Sequence, residues 1–495
     1  MAAHSGEGLI PWSETAGPRP VRFAGNSGHG GQLMADSTET SRGSTTGRPG
    51  LRGWLDKSGL GRPELRAWAM YDWANSAMAC TIITAVFPVY YGRVACAGMP
   101  QERATQWFSL WTTVAMVLIA LISPLLGTIA DFNGQKKRML GSFVALGVAS
   151  VAAMFFVYKG DWALASLLFI LANIGANGSY VFYDALLPHI ARDDEIDRVS
   201  TAGYALGYIG GGVLLALNLA WIMKPEWFGL PSVNDASPQG TLPSRLAFLS
   251  VAVWWLVFSV PLFRHVPEPP AAGGAAGGLP VRAAVNRLIE TGRSLRLYRQ
   301  AFVMLVAFLV YNDGIGTIMR MATRYGDEIG IDQKFMIGSI VLVQFVGIPF
   351  AFLFGALAGR IGAKRSIALG LVGYTAICIF GYFMKTGVHF LVLAVMVGMV
   401  QGGTQALSRS LFASLIPREK SGEFFGFFGV AEKFAGIFGP AVFGLINLAT
   451  GSSRGSILSI IAFFVAGGFL LAQVDVAEGQ RVARAEEALA LGAKR

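Results

Sequence analysis

WAMYDWANSAMACTIITAVFPVYY, residues 68–91, is long enough to cross a bilayer, since a span needs about 20 mostly apolar residues rising about 1.5 Å each. Its first turns nevertheless carry Tyr71, Asp72, Asn75 and Ser76. At 3.6 residues per turn, Trp68, Asp72, Asn75, Ser76 and Ala79 share one face, so this helix has a stripe that must meet protein or water rather than lipid. A bare carboxylate in hydrocarbon is costly. Asp72 therefore reads either as a functional group inside a span or as a cap or structural pair near the membrane surface.

Apolar runs of the same length recur along the chain. Hydrophobic residues make up 53% and charged residues 14% of the 495, the composition of a polytopic membrane protein. The net charge of +10 would suit a nucleic-acid partner, but most Lys and Arg lie in short segments between apolar runs, where cations set topology. Nucleic acid is excluded on that ground. Cys80, Cys96 and Cys378 show no metal-like spacing, and Cys80 and Cys96 are too far apart along one helix and its exit to bridge. Neither a metal nor a cofactor is expected. All five histidines fall outside the apolar runs, so a proton relay inside the membrane must use carboxylates. With no intramembrane nucleophile, base or metal constellation, the chain does not read as an enzyme.

Residues 1–50 are rich in Gly, Ser, Thr and Pro and predict a disordered cytoplasmic tail; the true start could be Met1 or Met34. Residues 51–66 form a basic and apolar elbow suited to the membrane surface. Twelve spans follow, at about 68–91, 107–130, 139–158, 162–187, 201–223, 246–263, 301–319, 335–358, 366–384, 388–416, 424–448 and 455–474. They divide the chain into an N-terminal half (51–263), a linker (264–300), a C-terminal half (301–474) and a cytoplasmic tail (475–495). The linker opens as a Pro- and Gly-rich segment and continues as a surface helix with Val281, Val285, Leu288 and Leu295 on one stripe. Placing both termini in the cytoplasm puts most of the loop Lys and Arg inside, as the positive-inside rule requires. The longest outside loop, 224–244, carries four prolines and reads as irregular. Gly203, Gly207 and Gly210 to Gly212 read as helix packing, and Trp107, Trp227 and Tyr91 as interface anchors.

The halves repeat. Gly127-Thr-Ile-Ala-Asp131-Phe-Asn-Gly134-Gln-Lys136-Lys137 returns 228 residues later as Gly355-Ala-Leu-Ala-Gly359-Arg360-Ile-Gly362-Ala-Lys364-Arg365. Leu187-Pro188 returns 229 residues later as Ile416-Pro417. Two six-span halves repeated in the same sense are the trace of a transporter with its site between them.

The turn from Gly127 to Lys137 resembles the cytoplasmic loop signature of the major facilitator superfamily. It departs from that pattern at Phe132, where a basic residue is usual, and at Gly359, which replaces the acid in the second half. A charge latch is therefore expected to be asymmetric and centred on Asp131. Residues 68–91, the run Val181-Phe-Tyr-Asp184-Ala-Leu-Leu-Pro188, and Gln401-Gly-Gly-Thr-Gln405-Ala-Leu-Ser-Arg409-Ser through to Glu432-Lys433 together resemble the autophagy-related vacuolar amino-acid effluxer family and its bacterial relatives. The resemblance implies a major facilitator fold, all-α with twelve transmembrane helices in two pseudo-repeated six-helix halves. It also implies secondary transport of a small solute by alternating access, with amino-acid efflux as the activity. A bacterial inner membrane is the expected location.

Polar groups inside spans concentrate on spans one, four, seven and ten, which line the central cavity of such a fold. Tyr71, Asp72, Asn75, Asn312, Asp313, Gln405 and Glu432 are the candidates for substrate binding or proton coupling. Asp131, Lys136, Lys137, Asp184, Arg409 and Lys433 are the candidates for gating. Asn173 and Asn177 suit interhelical bonding as well as a solute path. Asp131 is expected to meet the start of span eleven near Gly422 and Glu423. Arg409 has two candidate partners: Asp184 across the halves, or Glu432 within its own half. Carboxylates could take the ammonium of a zwitterion and Arg409 or Lys433 its carboxylate. Expected partners are a small solute, the lipid bilayer and a coupling proton, with the chain a monomer. Export of drugs or other amphiphiles, and a non-transporting receptor or assembly partner of the same fold, are the alternatives.

Overall fold

A computed structural model describes residues 51–231, 240–272, 282, 284–286, 289, 297–435, 438–450 and 453–492. The expected N-terminal tail, most of the linker helix and much of the loop 224–244 lie outside the described residues. Those that are described form helices and connecting turns, with no strand among them.

Twelve helices are long and apolar enough to cross a membrane. In the first half they are span one (Pro63–Ala95), two (Gln106–Asn133), three (Lys136–Phe156), four (Trp162–Ile190), five (Ile196–Met223) and six (Leu242–His265). In the second they are seven (Arg299–Ala322), eight (Gly338–Ile361), nine (Ala363–Tyr382), ten (Gly387–Ser414), eleven (Arg418–Ala449) and twelve (Arg454–Ala472).

Span one departs from regular helix. From Met78 to Ala85 it widens to π geometry, and the N–H of Val86 reaches back to Thr81 O. Pro88, lacking an N–H, removes one donor from the ladder just beyond, where such irregularity is expected. The span also runs on to Ala95, so Tyr91 is 2% exposed and its hydroxyl bonds Ser166 Oγ at 2.8 Å. Tyr91 is therefore not an interface anchor; its ring is buried against span four's side of the bundle. Trp227, at 75% exposure, suits that role.

Span eleven is not the single helix expected over 424–448. One segment runs Ser421–Phe434 and a second Phe438–Thr450. The buried Asp313 on span seven accepts a bond from Gly439 N at 3.0 Å, capping the second segment. Beyond span twelve, residues 475–495 are not a plain tail: Val476–Gly492 is a helix. It docks through Glu487, which accepts from Arg418 N, and Arg484, which pairs with Asp193.

The repeated glycines sit at the seams between the halves. A Cβ on Gly127 would stand 2.0 Å from Gly422 O on span eleven, and one on Gly355 would stand 2.2 Å from Thr201 Oγ1 on span five. Such approaches admit no side chain. Gly134 (φ 61°) and Gly362 (φ 85°) end the helices just beyond with positive φ, which glycine adopts at no steric cost.

Candidate functional site

Span ten carries Arg409 on a face of small residues, and its guanidinium crosses into the first half. Nη1 donates to Asp184 Oδ1 at 3.1 Å and to Asp72 Oδ2 at 3.3 Å. Nη2 donates to Asp72 Oδ2 at 3.3 Å and Ser200 O at 3.0 Å, and Nε to Ser200 Oγ at 2.9 Å. All five guanidinium N–H groups are thus engaged. Tyr183 adds a 2.8 Å bond from its hydroxyl to Asp72 Oδ2. The rings of Trp68 and Tyr204 lie 4.8 and 4.7 Å from the guanidinium carbon, within cation–π range.

Local sequence explains the niche. Trp68 precedes Asp72 by one turn and stacks on Tyr183 at 4.4 Å, while Gly203 leaves room for the carboxylate: a Cβ there would lie 2.6 Å from Asp72 Oδ2. Asp72, Asp184 and Arg409 are all buried. Two carboxylates share one guanidinium, which leaves one net negative charge in a region where removing a partner is costly.

Beside this cluster lies a cavity of about 330 Å³ between the halves. Asp72, Asp184, Gln405, Arg409, Glu432 and Lys433 line it. Of the other candidates, Tyr71 bonds Ser179 Oγ at 2.6 Å, and Asn75 donates to Ala176 O at 3.5 Å, both turned to span four. Asn312 accepts from Gln405 Nε2 at 2.9 Å and so holds a lining residue. Asp313 caps Gly439, as described above. Glu432 pairs with Lys433 at 3.2 Å and not with Arg409. Asn173 and Asn177 donate to carbonyls one turn back on their own helix, and Asn177 also lines the cavity. Tyr180, Tyr204, Tyr208 and Gln344 line it too. Sequence reasoning passed over the three tyrosines because aromatic residues in apolar runs read as packing.

The latch is built on Asp131, which is 2% exposed. Its Oδ1 accepts from Gly422 N at 2.9 Å and its Oδ2 from Glu423 N at 2.8 Å, so a carboxylate sits at the N-terminus of the Ser421–Phe434 helix. Lys136 Nζ meets Oδ1 at 2.6 Å. Lys137 does something else: its Nζ bonds Phe263 O and Val266 O at the end of span six. Lys364 does the same at the end of span twelve, to Ala472 O and Val474 O. Around the latch, Ser421 bonds Ala185 O, Ser410 bonds Asp197, and Ser200 bonds Ala406 O. The halves are therefore joined at the end of the bundle that carries the linker, with the cavity beyond the junction. Among the described residues, no group of three or more His, Cys, Asp and Glu side chains is disposed to hold a metal.

Comparison with known proteins agrees with this architecture. The family described as "Vacuole effluxer Atg22 like" matches residues 94–484. An uncharacterized MFS-type transporter, YxiO of Bacillus subtilis, is 37% identical over 82% of this chain and 94% of its own. Autophagy-related protein 22-1 of Penicillium rubens is 23% identical, covering 82% of each chain. Among solved structures, the proton:xylose symporter XylE superposes with a TM-score of 0.62 at 15% identity, over 84% of this chain and 96% of that one. FucP in its outward conformation gives 0.60 at 13% identity, over 84% and 99%.

Proposed function

Because the chain belongs to the Atg22-like family of major facilitator transporters, and is with it a multi-pass integral membrane protein, we propose that it exports amino acids from a bacterial cytoplasm across the plasma membrane by alternating access. Both termini lie in the cytoplasm, and the state described is shut on that side. One observation carries the reading: Arg409 of the second half is held by Asp72, Asp184 and Ser200 of the first, on the wall of the cavity.

That arrangement supports a cycle. Opening towards the cytoplasm requires Arg409 to leave two carboxylates, and uncompensated charges in a dry niche oppose this by several kcal/mol (about 3–5 for a broken buried pair). A proton taken up by one aspartate, or an ammonium brought by the solute, offsets that cost. The pair thereby links cargo and proton to the movement of the halves. A monomer suffices for this cycle, since the residues that carry it all lie in one chain.

The test is flux. Purified protein in liposomes should exchange radiolabelled leucine across the membrane, faster with an imposed proton gradient. Asp72→Asn, which keeps the shape but removes the charge, should abolish the gradient's effect. Leucine exchange no faster than in protein-free vesicles would remove the amino-acid cargo. Wild-type rate and pH dependence in Asp72→Asn would remove the coupling role.

A further inference from the structure

Span ten sets Gln401, Gln405 and Arg409 at intervals of four residues on one face, and all three line the central cavity. Arg409 marks the end that holds Asp72 and Asp184. Gln401 marks the other, eight residues and about 12 Å away along the helix axis, so the wall suits an elongated solute better than a compact one. Much of the remaining lining is aromatic, with Tyr180, Tyr204 and Tyr208 from the first half and Phe308 and Phe428 from the second.

Charge and hydrogen bonding along this wall are unbalanced in one direction. The donors are committed: all five Arg409 N–H groups are used within the chain, Lys433 is ion-paired with Glu432 at 3.2 Å, and Gln405 Nε2 donates to Asn312. Acceptors are left over. Gln401 Oε1 is buried on the wall with no hydrogen-bond partner among the described residues, and Asp184 gives Arg409 its Oδ1. Three acids (Asp72, Asp184 and Glu432) and two bases (Arg409 and Lys433) line the cavity, which leaves one negative charge in excess. An unmatched buried acceptor is costly, and a donor brought by the solute removes that cost. We propose that the central cavity selects cargo of net positive charge with N–H groups at both ends, a diamino acid ahead of a neutral one, one ammonium lying at Asp184 and the other at Gln401. This rests on the transport reading above and names its substrate class. Gln401 is then a cargo-contact residue, and the aromatic lining accommodates the cation.

The experiment uses the full chain in liposomes, with Cys80, Cys96 and Cys378 replaced by Ala and a reporter at Ala79→Cys, an exposed position on the cavity wall. Labelling by N-ethylmaleimide, which is uncharged, is measured against rising concentrations of lysine, leucinamide, leucine and N-acetylleucine. Lysine and leucinamide, each of net charge +1, should protect at concentrations about tenfold lower than leucine, the effect of one unit charge across a partly aqueous cavity, and N-acetylleucine should not protect. Gln401→Leu should narrow the advantage of lysine over leucinamide about tenfold, whereas Gln401→Glu, which keeps the acceptor and adds a charge, should widen it. Leucine protecting ahead of leucinamide, N-acetylleucine protecting as well as leucine, protection by none of the four, or a lysine-to-leucinamide ratio that neither Gln401 variant moves overturns the proposal. Protection in the expected order with no flux of leucine or lysine sustains the site and refutes the transport reading instead; leucine flux with the order reversed does the opposite.

Discussion

Replacing Asp131 by Asn separates two jobs that the carboxylate performs at once. One is to hold the start of span eleven, through Gly422 N at 2.9 Å and Glu423 N at 2.8 Å. The other is to neutralise Lys136, which is 1% exposed and 2.6 Å away. The first bond crosses between halves and exists only while the linker side is shut. The second lies within the first half, across the turn between spans two and three. Asn keeps one acceptor but loses the charge and one N–H partner, a loss of about 2 kcal/mol of closed-state preference, or roughly 30-fold in the ratio of states. Leaving Lys136 buried without its charged partner costs a further amount of about 3–5 kcal/mol in the state described, which appears in stability. Asp131→Asn should therefore lower the melting temperature and open the linker side. Adding Lys136→Met should restore melting but leave the opening. Spin labels at Asp194→Cys, 74% exposed in the first half, and at Arg360→Cys, exposed at the end of span eight in the second, should report a longer distance in both variants. A wild-type distance distribution in both would refute the latch; equal melting of single and double variants would refute the division of labour.

Arg409→Met should be the most damaging change in the central cluster, because it leaves Asp72 and Asp184 facing each other; Asp184→Asn should be milder, since Arg409 keeps Asp72, and melting temperatures rank the two. For the same reason, exchanging Asp184 and Arg409 should not restore transport, because the new aspartate would face Asp72. Gly203→Ala should cost about 1–3 kcal/mol of stability, since its Cβ would fall 2.6 Å from Asp72 Oδ2, whereas Gly444→Ala, with nothing within 4 Å, should be neutral in the same unfolding assay. Asp313→Asn should keep the cap on Gly439 and near-normal melting, while Asp313→Leu should lower melting by losing it; equal melting of the two variants would refute the cap, and a changed pH profile of flux in Asp313→Asn would show that the residue couples protons as well.

The fold was legible because hydrophobic runs of spanning length and a repeated loop signature are carried by composition and spacing, which survive without side-chain detail. Asp131 at Gly422 and Glu423 was legible for a similar reason: a carboxylate in a tight turn at a helix end has few places to go. Asp72 was visible as a misfit in an apolar helix, but its partner was not, since the contact joins residues 337 apart. The sequence left Arg409 between Asp184 and Glu432; the third dimension adds Asp72 and Ser200 and sends Glu432 to Lys433. Asp313 looked like a cavity residue because it shares a span with cavity residues, yet it caps the broken span eleven, and no local pattern announced that break. Tyr180, Tyr204 and Tyr208 were hidden by their own chemistry, since a tyrosine that faces a cavity and one that packs in a core are written identically.

The two glycine-lined seams descend from one duplicated sequence but no longer match. Counting residues sets Lys136 opposite Lys364, yet the lysine that grips the end of the last helix in the first half is Lys137. A slip of one position has released Lys136 to serve Asp131. In the second half Gly359 stands in the acid's place, and a Cβ there would touch nothing within 4 Å. One border between the halves is thus fastened by a carboxylate at a helix N-terminus and the other by Ser410 on Asp197 and Arg409 on Ser200, so the twofold relation that the repeat imposes on the shape does not extend to the forces. A protein that rocks about its own pseudo-axis must therefore undo different chemistry on its two sides: backbone N–H groups on a carboxylate at one border, hydroxyl and guanidinium contacts at the other.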